Sequence, residues 1–77
     1  MDKEIRHCIV YGDYIQLNQF LKREDITPSG GQAKYYIAEG KVKVNGKTET
    51  AIRKKLVPGD TVEVDGITFL MEADSGR

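Results

Sequence analysis

Between Ser29 and Asp60 the chain reads SGGQAKYYIAEGKVKVNGKTETAIRKKLVPGD, and few small folds accommodate that order of signals. Ser29 and Gln32 have the S-x-x-Q spacing of a capping box, in which a hydroxyl closes the first turn of a helix. Ala33, Tyr36 and Ile37 follow at i, i+3 and i+4, a single apolar stripe. Gly40 stands where a helix ends in the left-handed conformation. Lys41-Val42-Lys43-Val44 then alternates, with valines on one strand face and lysines on the other. Asn45-Gly46 is the strongest short hairpin signal a sequence offers. Arg53-Lys54-Lys55 and a Val57-Pro58-Gly59-Asp60 turn complete the stretch.

The flanking segments extend this pattern. Ile5 to Val10 reads as a strand, broken by Gly12-Asp13. Leu17, Phe20 and Leu21 form a second i, i+3, i+4 stripe, which predicts a helix over Leu17–Glu24. Gln16 is a weak cap for it, with Ile15 placed to staple onto Phe20. Thr48–Thr50 begins the return strand of the first hairpin. Thr61–Val64 alternates, Asp65-Gly66 makes a second tight turn, and Ile67–Met71 is the last strand. Glu72–Arg77 reads as a frayed tail. The fold class is therefore α+β: two short packed helices against a small, mostly antiparallel sheet, as one domain over residues 1–77.

With 77 residues, such a domain has a small core and modest stability. Hydrophobic residues at 39% and charged residues at 31% predict a folded, soluble chain. One cysteine, Cys8, gives no disulfide framework, and no secretory signal is apparent, so the cytoplasm is the expected compartment. No apolar run is long enough to cross a bilayer. His7 and Cys8 lack the further ligands that a metal needs, and Cys8 reads as a small buried apolar residue. No nucleophile–base set stands out, and Asp60 reads as a turn former. Neither an enzyme nor a cofactor or metal is expected.

Net charge is zero, with 12 basic and 12 acidic residues, but the charges are unevenly placed. Residues 34–55 carry seven basic and two acidic side chains, and residues 56–77 carry one basic and five acidic. That asymmetry predicts a cationic face built from Lys34, Lys41, Lys43, Arg53, Lys54 and Lys55, apart from most of Asp60, Glu63, Asp65, Glu72 and Asp74. A row of cations neutralises successive phosphates. Gly30 and Gly31 disfavour the opening helical turn by roughly 1 kcal/mol each relative to alanine. Either they let a phosphate or another chain approach free N–H groups, or they ease the turn after Pro28 or let the first helix pack closely. Tyr35, beside Lys34, cannot share the core with Tyr36, so it stacks on a base or packs at the edge.

The segment SGGQAKYYIAEGKVKVNGKTET…VPGDTVEV resembles the S-four RNA-binding domain, or alpha-L motif. Ser29, Ala33, Ile37, Gly40, Val42, Val44, Asn45, Gly46, Gly59 and Asp60 carry the likeness, over about residues 14–66. The SGGQAK variant and the short length are most similar to its small stand-alone, YaaA/YbcJ-like branch. The resemblance implies a non-catalytic module that holds structured RNA on a shallow basic face. Ribosomal RNA or a ribosomal particle is the first candidate partner, with a role in ribosome assembly and a monomeric state. The chain departs from the family pattern at two RNA contacts. Ile15-Gln16-Leu17 stands in place of Arg-Leu-Asp at the first helix, and Gly30 in place of the Arg after the helix-two Ser. The expected RNA-binding set is Lys22, Arg23, Ser29, Gly30, Gly31, Lys34, Tyr35, Lys41, Lys43, Lys47, Arg53, Lys54 and Lys55. The alternative is a protein adaptor docking the same basic face on an acidic partner.

Overall fold

Period-two alternation and two i, i+4 stripes meet in one core. The structure, a computed structural model, describes residues 4–74. Its elements are β1 (Glu4–Val10), β2 (Ile15–Gln16), α1 (Leu17–Arg23), α2 (Gly30–Ala38), β3 (Lys43–Val44), β4 (Lys47–Thr48), β5 (Lys55–Leu56), β6 (Thr61–Val64) and β7 (Ile67–Ala73). Five strands form a sheet in the order β1-β7-β6-β3-β4, and β2 pairs with β5 separately. Cys8, Val10, Val44, Val62, Val64, Phe69 and Met71 point to one sheet face and are buried. Leu17, Phe20 and Leu21 of α1 and Ala33 and Ile37 of α2 cover them. Phe20 meets Phe69 edge to face, with ring centroids 4.9 Å apart. The opposite sheet face carries Ile5, His7, Lys43, Glu63, Thr68 and Glu72, none of them buried.

Both hairpins form as the Asn-Gly and Asp-Gly pairs predict. Asn45 and Gly46 have φ of 53° and 83°, and Asp65 and Gly66 have φ of 54° and 76°. Positive φ at both central residues is the type I′ turn, whose twist matches the flanking strands. The first hairpin is also tied to the Val57–Asp60 turn. The Asn45 Nδ2 group donates to Asp60 Oδ1 at 3.1 Å, and Asn45 Oδ1 accepts from the Thr61 amide at 3.0 Å. Asp60 Oδ2 accepts from the Val57 amide at 3.0 Å. Asn45 and Asp60 thus serve the fold as a clasp between two turns.

The helix ends show why the boundaries lie where they do. The Ser29 hydroxyl accepts from the Gln32 amide at 3.3 Å, the expected cap. At the other end of α2, the Gly40 amide donates to Ile37 O at 3.0 Å and the Lys41 amide to Tyr36 O at 3.3 Å. That is a Schellman motif, with Gly40 at φ 78°. Helix α1 ends the same way one residue before Glu24, with Asp25 at φ 58° in the glycine position. Its start has no side-chain cap at Gln16. Instead Lys54 O accepts from the Leu17 amide at 2.8 Å and Ile52 O from the Asn18 amide at 3.1 Å. The carbonyls of a distant loop satisfy the first helical N–H groups, so a weak cap residue suffices.

The expected tail starts too early. Glu72 and Ala73 belong to β7, where they pair in parallel with Ile9 and Val10 of β1, and of the expected tail residues 75–77 lie outside the described residues. A buried Val10 at the end of β1 requires a neighbouring strand at that height. The return strand of the first hairpin is shorter than expected, ending at Thr48.

Gly40→Val and Gly46→Val should each lower stability by about 1–2 kcal/mol or more, since a β-branched residue is strained in the left-handed region. The conformation itself sets that cost. A Cβ at Gly46 meets nothing within 4 Å, and one at Gly40 meets only Thr48 Cγ2 at 3.5 Å. Lys54→Ala should stay within about 0.5 kcal/mol of wild type, because its carbonyl and not its side chain seats α1. Thermal melts compare the three.

Candidate nucleic-acid interface

Pairing of β2 with β5 brings residues 52–55 to the start of α1. The carbonyls of Ile52 and Lys54 face the helix, while the Arg53, Lys54 and Lys55 side chains stand exposed in solvent. Among the described residues none of the three takes a carboxylate partner. Lys55 Nζ lies 4.9 Å above the centre of the Tyr14 ring, a cation–π contact. Tyr14 itself is 41% exposed. It joins this corner only through the β2–β5 pairing of segments about forty residues apart, so no local sequence signal marks it.

Helix α2 presents Lys34 and Tyr35 outward, with Tyr35 67% exposed. Tyr36 turns to the core edge as the stripe requires. Ser29 spends its hydroxyl on the Gln32 amide. Its carbonyl accepts from the buried Thr27 hydroxyl at 3.2 Å, which fixes the loop before α2. Gly30 opens the helix, and Gly31 is exposed in its first turn. A Cβ at Gly31 would reach only Ser29 Oγ, at 3.9 Å, so packing inside the domain does not demand glycine there.

Lys22 and Arg23 are both exposed on α1, and the Arg23 guanidinium also reaches β1. Its Nη2 donates to Cys8 Sγ at 3.4 Å, and its Nε lies 3.3 Å from Glu24 Oε2. Burial, then a hydrogen bond with Glu24, pushes the Cys8 thiol up to about 11. The thiol is therefore protonated at neutral pH, consistent with its packed position.

The expected separation of charge fails at the hairpins. Lys43 sits directly across from Glu63 on the neighbouring strand, so both side chains share the outer sheet face. Lys41 and Lys43 line one groove with Glu63 and Asp65. Lys41 Nζ is 3.4 Å from Glu39 Oε1 and 5.1 Å above the Tyr36 ring. The Tyr36 hydroxyl donates to Asp65 Oδ1, and that bond, followed by burial, raises the tyrosine pKa. Lys47 is exposed on β4, the edge strand of the sheet. The triplet at the start of α1 therefore has no carboxylate partner among the described residues, whereas Lys41 and Lys43 stand among acids at the β6–β7 turn. Among the described residues no group of three or more His, Cys, Asp and Glu side chains is placed to hold a metal ion.

Residues 9–71 match the S4 domain family. YbcJ of Escherichia coli (strain K12) is 49% identical over 53 residues, which is 69% of this chain and 76% of YbcJ. RlbA of Bacillus subtilis (strain 168), named a probable ribosome maturation protein, is 43% identical over 54 residues, 70% of this chain and 76% of that one. A solution structure of YbcJ from E. coli, described with an alpha-L motif involved in RNA binding, superposes with a TM-score of 0.62 at 39% identity. That superposition covers 86% of this chain and 87% of YbcJ.

Proposed function

The chain belongs to the S4 domain family, and from that premise we propose that it is a non-catalytic module that binds structured RNA. The observation that carries this reading is the exposed Arg53, Lys54 and Lys55 cluster at the start of α1, without a carboxylate partner among the described residues. Cations left unpaired on a small domain are available to replace the counterions of a phosphate backbone. Lys22, Lys34 and Lys47 extend the contact surface, and Tyr35 offers a ring on which a base or ribose can stack. Ser29, Gly30 and Gly31 place the start of α2 against the backbone. Arg23, Lys41 and Lys43 contribute less long-range attraction, because each has an acidic neighbour.

The RNA in this proposal is ribosomal. The name of RlbA supports that choice, and the site of action is then an assembling ribosomal particle in the cytoplasm, reached by a monomer. Crosslinking in cells, followed by sequencing of the attached RNA, tests it. Enrichment of ribosomal RNA segments is the expected result. Recovery of protein partners without RNA would favour an acidic-partner adaptor instead.

The glycine pair supplies a separate check. Gly31→Ala should raise stability by up to about 1 kcal/mol, since alanine is the better helix former and fits without a clash. If Gly31 is kept for backbone approach, the same variant binds RNA more weakly while melting higher. Equal RNA affinity would assign the glycine to chain geometry alone.

A further inference from the structure

The groove at the β6–β7 turn is chemically odd for a phosphate-binding surface. It has a volume of about 240 Å³ and is lined by Lys41, Lys43, Glu63, Val64, Asp65 and Gly66. Two carboxylates beside two ammonium groups weaken the attraction for a bare phosphate. A cationic peptide would meet the lysines with equal reluctance. A nucleotide satisfies both sets, since it carries a phosphate and, on its base, hydrogen-bond donors. The volume falls below the ~300–1,000 Å³ of pockets for larger ligands, which suits a single base.

The acidic wall is held in place. Asp65 occupies a left-handed turn position at φ 54°, and the Tyr36 hydroxyl donates to its Oδ1. Tyr36 is in turn anchored on α2 against the core and covered by Lys41. Asp65 Oδ2 carries no hydrogen bond among the described residues, and each carboxylate oxygen has two acceptor sites. A fixed, acceptor-only group lining a groove selects bases by their donors. Uracil presents one donor flanked by two acceptors, which a carboxylate repels. Guanine presents its N1–H and N2–H donors side by side, matched to the two oxygens of one carboxylate.

We propose that this groove holds one unpaired guanine nucleotide, with Asp65 accepting from the base edge and Lys41 and Lys43 on the flanking phosphates. The proposal rests on the RNA-binding reading and adds base selectivity to it. Unpaired bases in loops and bulges are the parts of RNA whose Watson–Crick edges a protein can read.

The test uses one RNA hairpin whose loop carries G, inosine, A, C or U at a single position, titrated with the full chain. Wild type should bind the G hairpin about 5- to 100-fold more tightly than the U hairpin, with inosine, which lacks the N2 amine, in between. Asp65→Asn keeps a residue that tolerates the turn and still accepts from Tyr36, but it should bind G and U alike. Tyr36→Phe keeps the ring under Lys41, frees the carboxylate, and should reduce the preference in part. Wild type should also bind structured ribosomal RNA fragments, and both variants should keep a cooperative thermal melt. If wild type binds those fragments but shows no base preference, the groove proposal is overturned while the RNA reading stands. A preference that survives Asp65→Asn overturns it too. If wild type binds no RNA, or only a lysine-rich peptide enters the groove, the proposal falls as well.

Discussion

Replacing Arg53, Lys54 and Lys55 together with alanine should lower the log–log salt slope of RNA binding by roughly 2–3 units, taking about 0.7–0.9 per lost phosphate contact. At equal affinity near ~1 M salt, that slope change corresponds to a loss of roughly two to three orders of magnitude at ~0.1 M. The expectation follows from geometry. The three side chains are exposed on a loop whose carbonyls hold the start of α1, so the backbone stays fixed when the side chains are shortened. Preference among structured RNAs should be nearly unchanged, because phosphate contacts position a protein and carry little base information. The fold should lose little, apart from the contact of Lys55 with the Tyr14 ring. Equilibrium binding of wild type and triple variant to ribosomal RNA fragments across a salt series measures both quantities. The same affinity and slope in the variant would make this loop a solvated surface and move the binding face elsewhere.

Phe20→Ala should cost about 3–5 kcal/mol. Phe20 is fully buried and is the α1 side chain that meets Phe69 at 4.9 Å across the sheet. It therefore joins the helical layer to the central strand pair, and truncation opens a cavity between two layers that cannot easily close. A domain of 77 residues is stable by only about 4–12 kcal/mol at the usual value per residue, so this loss is a large fraction of the total. Urea titration followed by circular dichroism should show a midpoint strongly lowered, or no cooperative transition. A change below about 1 kcal/mol would mean that α1 packs on the sheet by another face.

Local signals were legible and long-range ones were not. The Ser29 cap, the Gly40 stop and the two I′ turns depend on residues within four positions of each other, so the sequence displays them directly. The parallel pairing of β1 with β7 joins segments at opposite ends of the chain. No turn residue announces it, and the extent of β7 through Ala73 depends on it. Two-residue strands such as β2 and β5 carry too little alternation to be seen, yet their pairing builds the Tyr14–Lys55 corner. The alternation in Lys41–Val44 correctly assigned Lys43 to the outer face and Val44 to the core. It could not say that Glu63 faces Lys43 from the adjacent strand, because strand register lies outside a local pattern. Arg23 shows the same limit. Its spacing on α1 leaves it off the apolar stripe, and its contact with Cys8 depends on where β1 lies.

If this domain binds structured RNA through a cationic surface, counterion release sets much of its affinity. The most direct test is equilibrium binding of the wild-type chain to structured ribosomal RNA fragments at increasing salt. Binding whose logarithm falls linearly with the logarithm of salt, with a slope equivalent to several phosphate contacts, is the result expected. No binding at low salt, or an affinity indifferent to salt, would rule out binding through such a surface.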